Sequence, residues 1–448
     1  LHPGNTWPFL HFMKKTLLLV LLLCHITAYS QIDSVTINQL IANVEKKVIA
    51  WRRDIHEHPE LGNQEVRTAA LIARHLQQLG LEVKAGVAKT GVVGILKGGL
   101  PGPVVALRAD MDALPVTEKP HVPFASTVTT LYNNQQTGVM HACGHDAHVA
   151  ILMGVAEVLS AVKKQLHGTV TFIFQPAEEG GPAGEEAGAK LMVKEGVMDH
   201  PKVDVVFGLH MAALTEVGKI TYRPGGTMAS ACDMKITVTG KSSHGAYPWA
   251  SVDPIVVASQ IVGNLQTIVS RNLNVTENAG VVTIGSINGG NRFNIIPEKV
   301  EMMGTVRALS PEDEKMMYEK IRLITAKTAE LNGATAVAEV PYKIYNPVTW
   351  NDITLTNTML SSLRKSAGDT NVVMVPAQTI AEDFSWYAQK APALFIFLGA
   401  LPPGTDPKKA APHHTADFFI DENSFKTGIK AMVNLAIDYT QTITTPSH

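Results

Sequence analysis

The chain has 448 residues, 45% hydrophobic and 17% charged, the profile of a folded protein of two or three domains. Lys plus Arg number 38 against 40 for Asp plus Glu, and a net charge of −2 leaves no electrostatic footprint for nucleic acid. Three cysteines are too few for a disulfide framework, so the chemistry has to be sought among the 17 histidines and the carboxylates.

The first element reads as a targeting segment. Met13-Lys14-Lys15 is a short basic stretch, Leu17 to Cys24 is an uninterrupted apolar run, and Ala28-Tyr29-Ser30 puts small residues at −3 and −1 of a cleavage site. That is the pattern of a secretory signal peptide cleaved after Ser30. The apolar run is shorter than the ~20 residues a bilayer span needs. Residues 1–12 read as an extension upstream of the true start, and no later run is long enough for a membrane helix. The expectation is an exported, periplasmic or extracellular protein that keeps only Cys143 and Cys232.

Helical periodicity over Ile37–Asp54 and Thr68–Leu79, the latter stopped by Gly80, then alternates with short apolar runs. The runs are Gly91–Leu96, Val104–Leu107, Val170–Phe174 and Val205–Leu209, with a long amphipathic stretch at Ala147–Val162. Buried strands separated by helices predict an α/β domain on a mixed, mostly parallel sheet, over residues 33–226. The texture then changes. Met234–Val238, Asp253–Val269, Gly280–Ile287, Val300–Leu309, Pro311–Asn332 and Thr335–Val340 give the order β-α-β-β-α-β. This is the ferredoxin-like pattern of a small α+β domain over 227–342, inserted into the large one. The first texture returns over 343–448, with a helix at Thr354–Ala367 and a strand at Leu394–Leu398.

Ligands of open α/β sheets bind beyond the carboxyl ends of the strands. Asp110 and Asp112 follow the strand ending at Leu107, Glu178 and Glu179 follow Val170–Phe174, and His210 follows Val205–Leu209. The segment Met140-His141-Ala142-Cys143-Gly144-His145-Asp146-Ala147-His148 opens a helix, whose dipole favours the thiolate that binds metal. Cys143 and His145 alone also fit a nucleophilic pair, which would leave Glu178-Glu179 unexplained. Adjacent carboxylates point different ways, so one can ligate a metal while its neighbour accepts a proton from water. His413-His414 brings imidazole from the returning part of the chain. Such donors suit zinc, and manganese, cobalt and nickel are compatible by ligand type.

Several motifs together resemble the M20 metallopeptidase family, and more closely its amidohydrolase branch of hippurate, N-acyl-amino-acid and auxin-conjugate hydrolases. They are His56–Leu61, Leu107–Pro115, Met140–His148, Gln175–Gly180, Gly208-Leu209-His210, Ser243–Pro248 and Arg292–Pro297, in order along nearly the whole mature chain. The resemblance implies two divalent metal ions, with Cys143 bridging them and His145, Glu179, His210 and His414 as further ligands. His414 is chosen over His413 because it stands seven residues before Asp421, although the family's Pro two positions on is here Ala416. Glu178 resembles the general base. Asp112 aligns with an aspartate that orients a metal-binding histidine two residues before it. That position holds Asp110 here, so the role does not carry over intact and Asp112 is expected to support the ligands.

The inserted domain resembles the family's lid and dimerisation domain, and the family includes both homodimers through it and monomers. His244 matches a histidine that polarises the scissile carbonyl, often in a neighbouring subunit's site, and Asn294 and Arg307 match lid residues near the substrate's carbonyl and carboxylate. An Arg fork suits the carboxylate. The expected reaction is hydrolysis of the amide of a small N-acyl amino acid, with no nucleic-acid or membrane partner. A dipeptidase or carboxypeptidase on the same metals, and a silent binding protein for acyl amino acids, are the alternatives.

Overall fold

In the computed structural model, which describes residues 32–119 and 121–442, the apolar runs form the centre of an eight-stranded sheet. The signal peptide expected over 1–30 lies outside the described residues. The strands His167–Gln175, Leu100–Asp110, Val205–Glu216 and Ala393–Leu401 stand side by side and parallel. Gly91–Lys97 and Glu82–Val87 extend one edge antiparallel, and Ile220–Tyr222 with Val372–Met374 completes the other. The sheet is therefore mixed, as expected.

Side-chain alternation gives each strand two buried faces. Val105, Leu107, Val170, Phe172 and Phe207 point into a core roofed by the helices Ser34–Glu57, Val66–Gln78, His145–Ala161, Ile353–Ala367 and Phe425–Thr442. Ala106, Ile173, Val206 and Phe395 point the other way, onto Met192, Phe384 and Tyr387. Two expectations need correction. The stretch Ala147–Val162 is not amphipathic in place: its helix is buried nearly all round, which is what an apolar moment spread over every face requires. The strand expected to stop at Leu209 runs on to Glu216, because Met211 and Ala213 continue the buried alternation.

The small domain has a separate core, running from Cys232 to Val340 among the described residues. Its strands Ala231–Thr239, Gly280–Gly289, Lys299–Ala308 and Thr335–Glu339 pair antiparallel with the second, third, first and fourth of the set side by side. The helices Pro254–Asn272 and Pro311–Leu331 connect them, which is the β-α-β-β-α-β order predicted. Asp253 and Ser310 cap these helices, their side chains accepting from the first free backbone N–H groups. Ala231 and Cys232 pair with Asn346 and Tyr345, so the entering and leaving segments lie together. Cys232 is a buried, unbridged thiol in this core. Among the described residues, no helix is long and apolar enough to cross a membrane.

The helix His145–Ala161 carries the densest motif, and its seating is tight. A Cβ on Gly154 would lie 2.6 Å from Val48 Cγ2 in the neighbouring helix. Overpacking of this kind costs about 1–3 kcal/mol. Gly154→Val is expected to lower the unfolding free energy by that much, read as a lower urea midpoint at unchanged slope.

Candidate metal centre

The carboxyl ends of the parallel strands bring the predicted ligands to one rim. Gly144 takes φ 96° just before the helix, and a Cβ there would sit 2.9 Å from Met211 Cβ. Only glycine fits such a turn, and it lets Cys143 and His145 face the same space. Ala177 (φ 51°) and His414 (φ 65°) are left-handed without being glycine, a strain common where a side chain must be aimed. Ala177 is held by its N–H donating to Glu65 Oε1 at 2.8 Å, and His414 by its N–H donating to the Ala142 carbonyl at 2.8 Å.

The ligand atoms of Cys143, His145 and His210 lie within 4.8 Å of one another, as do those of Cys143, Glu179 and His414, and those of His145, Glu178 and Glu179. Cys143 Sγ is 3.5 Å from His210 Nε2 and 3.3 Å from His414 Nε2. His414 Nε2 is also 2.9 Å from Glu179 Oε1. One sulfur thus belongs to two donor sets, the arrangement that two cations could share.

Hydrogen bonding sorts the histidines. His145 Nδ1 lies 2.9 Å from the Asp112 carbonyl and 3.1 Å from Asp112 Oδ1, so it donates there. Its Nε2 is left buried with no hydrogen-bond partner, an orphan that a cation would satisfy. His210 Nδ1 likewise donates to the Met211 carbonyl at 2.7 Å, turning Nε2 toward Cys143. His148 differs: its Nε2 accepts the Met211 N–H at 2.8 Å, so Nδ1 donates to Asp110 Oδ1 at 2.5 Å and neither nitrogen is free. His413 Nε2 accepts the Ala213 N–H at 3.2 Å and its Nδ1 stands 3.8 Å from the sulfur. His414 is the one of the pair whose Nε2 meets both Cys143 and Glu179. Such fixing of the second ring nitrogen is the usual companion of metal ligation.

Electrostatics follow from crowding. Burial, then Glu382, Glu179 and Asp383, push the Glu178 carboxyl well above the ordinary range. Hydrogen bonds to Cys143 and Glu179 raise His414 to about 10, while burial brings His413 down to about 3. An excess of negative donors around an orphaned imidazole nitrogen is an environment made for cations, and the donor set fits them.

Asp112 hydrogen-bonds two of the expected ligands, Oδ1 meeting His145 Nδ1 and Oδ2 accepting the Glu179 N–H at 2.9 Å. Asp110 is the last residue of its strand rather than beyond it, and it pairs with Arg108 and His148. The three residues expected in a lid are not gathered in. His244 is exposed, its Nδ1 accepting the Ala246 N–H at 3.0 Å, and its short strand pairs with Ile295–Ile296. Asn294 precedes that strand, with its Oδ1 buried and unpartnered, and Arg307 lies opposite Val281 in the small sheet. None of the three lines the cavity beside the cluster. Sequence reasoning missed Glu382 and Asp383, which stand with Glu178 within 4.8 Å. It also missed Arg108 and Gln175, which hold those two acids. The adjacent acids in Ala381-Glu382-Asp383-Phe384, flanked by apolar residues, were the available signal.

Such a rim on such a sheet defines a metal-dependent hydrolase with two divalent ions. The chain belongs to peptidase family M20/M25/M40, whose model matches residues 106–438. It is 39% identical over 402 residues to thermostable carboxypeptidase 2 of Saccharolobus solfataricus, covering 89% of this chain and 97% of that one. Identity to an N-acetylcysteine deacetylase of Bacillus subtilis is 38% over 400 residues, 89% and 98% of the two chains. Identity to the IAA-amino acid hydrolase ILR1-like 5 of Arabidopsis thaliana is 36% over 398 residues, 88% and 86% of the two. The solved structure of Bacillus subtilis YXEP, described as a dinuclear metal binding peptidase from the M20 family, superposes with a TM-score of 0.73 at 34% identity. It covers 90% of this chain and 99% of that one.

Losing a group that orients ligands typically costs 10–100-fold in metal affinity. Asp112→Asn should weaken binding of zinc or manganese by about that factor in competition with a chromogenic chelator. An unchanged affinity would remove Asp112 from the support of the site.

Proposed function

We propose that the protein hydrolyses the amide bond of N-acyl amino acids, releasing a carboxylic acid and the free amino acid. The observation that carries this reading is the seat of Glu178. It is a half-buried carboxylate next to Glu179, with a ligand atom within 4.8 Å of one on His145, and it lines the cavity that opens on Cys143 and His210. The deacetylase and the IAA-amino acid hydrolase among the relatives act, by their names, on such conjugates.

Cys143 with His145 and His210, and Cys143 with Glu179 and His414, would hold the two ions. Sulfur, nitrogen and oxygen donors suit zinc, with manganese, cobalt or nickel as alternatives. Bound there, the ions supply Lewis acidity toward a carbonyl and bring the pKa of water toward ~7. Glu178 takes the proton of the attacking water and returns it to the leaving nitrogen. Asp112 keeps His145 and Glu179 aimed. His244 approaches from a lid, of this chain or of a second copy in a homodimer, and donates to the oxyanion. Asn294 works near the same carbonyl, and Arg307 receives the substrate's carboxylate. The segment 1–30 exports the enzyme. A second reading, a carboxypeptidase or dipeptidase on the same ions, is favoured by the similarity to the carboxypeptidase.

A panel of N-acetyl, N-benzoyl and indole-acetyl amino acids, with dipeptides alongside, separates these readings. Each substrate is assayed as isolated, after chelation, and after adding back zinc, manganese or cobalt. Restored release of amino acid from the N-acyl compounds is expected, and activity confined to dipeptides would move the assignment to a peptidase. Glu178→Gln should lose roughly 10²–10⁴ in kcat with its metal content intact. His244→Ala should lose about 10²–10³ and also keep its metal. Full activity in that variant would exclude the oxyanion role.

A further inference from the structure

Glu178 and Glu179 are the two corner residues of a tight turn, closed by the Gly180 N–H donating to the Ala177 carbonyl at 3.2 Å. The chain from Glu60 to Glu65 lies against both ends of that turn. A Cβ on Gly62 would stand 2.2 Å from the Gly180 carbonyl oxygen and 3.0 Å from Ala177 Cβ. Glu65 precedes the helix Val66–Gln78, yet its side chain does not cap it. Glu60 does so instead, its Oε1 accepting the Arg67 N–H and its Oε2 the Thr68 N–H, each at 2.8 Å. The Glu65 carboxyl group is left for another use, and it is fully buried. Its Oε1 accepts the Ala177 N–H at 2.8 Å, and its Oε2 accepts the Thr90 hydroxyl. A carboxyl group is costly to bury, and this one engages a single backbone N–H and a single hydroxyl.

The two corner acids are tied down unequally. Glu179 has its N–H on Asp112 Oδ2 at 2.9 Å and its Oε1 2.9 Å from His414 Nε2. Among the described residues, the Glu178 carboxylate accepts only the Asp383 N–H, at 3.4 Å, near the outer limit of a hydrogen bond. Its direction therefore depends on the backbone that carries it. That backbone enters the turn through Ala177 at φ 51°, a conformation an alanine keeps only when its surroundings impose it. Resting on the role proposed above for Glu178, we infer that Glu65 is its positioning residue. Glu65 locks the Ala177 N–H, and with it the left-handed entry to the turn, so that Glu178 faces the cavity over Cys143 and His210. Thr90, between the strands Glu82–Val87 and Gly91–Lys97, orients Glu65 through its hydroxyl. Asp112 engages the far corner of the turn and Glu65 governs the near one.

The test uses the metal-loaded protein and an N-acyl amino acid that the wild type cleaves. Glu65→Met keeps the length of the side chain and removes both acceptors. It should lower kcat by about 10–10²-fold, the scale of a small misplacement of a reacting group. KM should hold, as should the affinity for zinc or manganese read against a chromogenic chelator. Glu65→Gln keeps an oxygen for the Ala177 N–H and should recover most of the lost kcat. Ala177→Gly takes the left-handed conformation without a Cβ, so adding it to Glu65→Met should recover part of the loss. Thr90→Val, at a half-buried position, should give the same split between kcat and metal affinity to a smaller degree. It decides the matter if Glu65→Met does not fold. Wild-type kcat in the deciding variant, a loss that falls on metal affinity instead, or equal losses in Glu65→Met and Glu65→Gln overturn the positioning role. Full kcat in Glu178→Gln overturns the reading of Glu178 as well. Full kcat in Glu65→Met beside an inactive Glu178→Gln removes Glu65 alone.

Discussion

Arg108 is the tie on which the rim depends. Its guanidinium is fully enclosed and donates to Gln175 Oε1 at 2.8 Å, Asp110 Oδ2 at 2.7 Å, Glu382 Oε1 at 2.9 Å and Asp383 Oδ1 at 3.0 Å. Those partners come from its own strand, from the neighbouring strand and from a loop over 200 residues later, beyond the inserted domain. Breaking one side of a buried pair typically costs about 3–5 kcal/mol, because the abandoned charge stays buried. One cation in the sheet therefore determines where both halves of the large domain meet. The acid it places, Glu382, stands beside Glu178. Asp110 passes the constraint on through His148 to the backbone of Met211, next to His210.

The same cation is outnumbered. Asp110, Glu178, Glu382 and Asp383 all act on Arg108, and Glu179 adds to the negative charge around Glu178. A protein interior does not tolerate such a surplus without compensation. The Cys143–His145–His210 and Cys143–Glu179–His414 sets lie where divalent ions provide it. Structure and chemistry thus rest on one charge balance: fixed positive charge behind Glu178, exchangeable positive charge in front.

Much of this was legible in the sequence because polar residues following apolar runs have few places to go. Asp112, Glu178-Glu179 and His210 could be set on one rim, and Cys143 and His145 beside them, from strand ends and a helix start alone. The choice of His414 came from spacing. The structure adds what spacing cannot give, the Ala213 N–H that occupies His413. Glu382 and Asp383 escaped notice because they follow no strand; Arg108 and Gln175, inside theirs, reach across the sheet to hold them. The edge strand Glu82–Val87 was missed for the opposite reason, since it is mostly exposed and lacks an apolar run. His244, Asn294 and Arg307 were named from motifs, and their distance from the cluster depends on how two domains sit, which local pattern does not encode.

The pairing of Ala231-Cys232 with Tyr345-Asn346 has a consequence for how such a protein could arise. The inserted domain leaves and rejoins the large one through hydrogen-bonded neighbours, like a flower on a closed stem. The main core, as described, takes no residue between Tyr222 and Leu355. A compact hydrolase with a short turn at that stem is therefore a complete hydrophobic object in its own right. Acquiring the extra unit would have required only that a turn be opened, with no repacking of the ancestral interior. The two interiors can therefore change in size independently, since neither core draws its residues from the other.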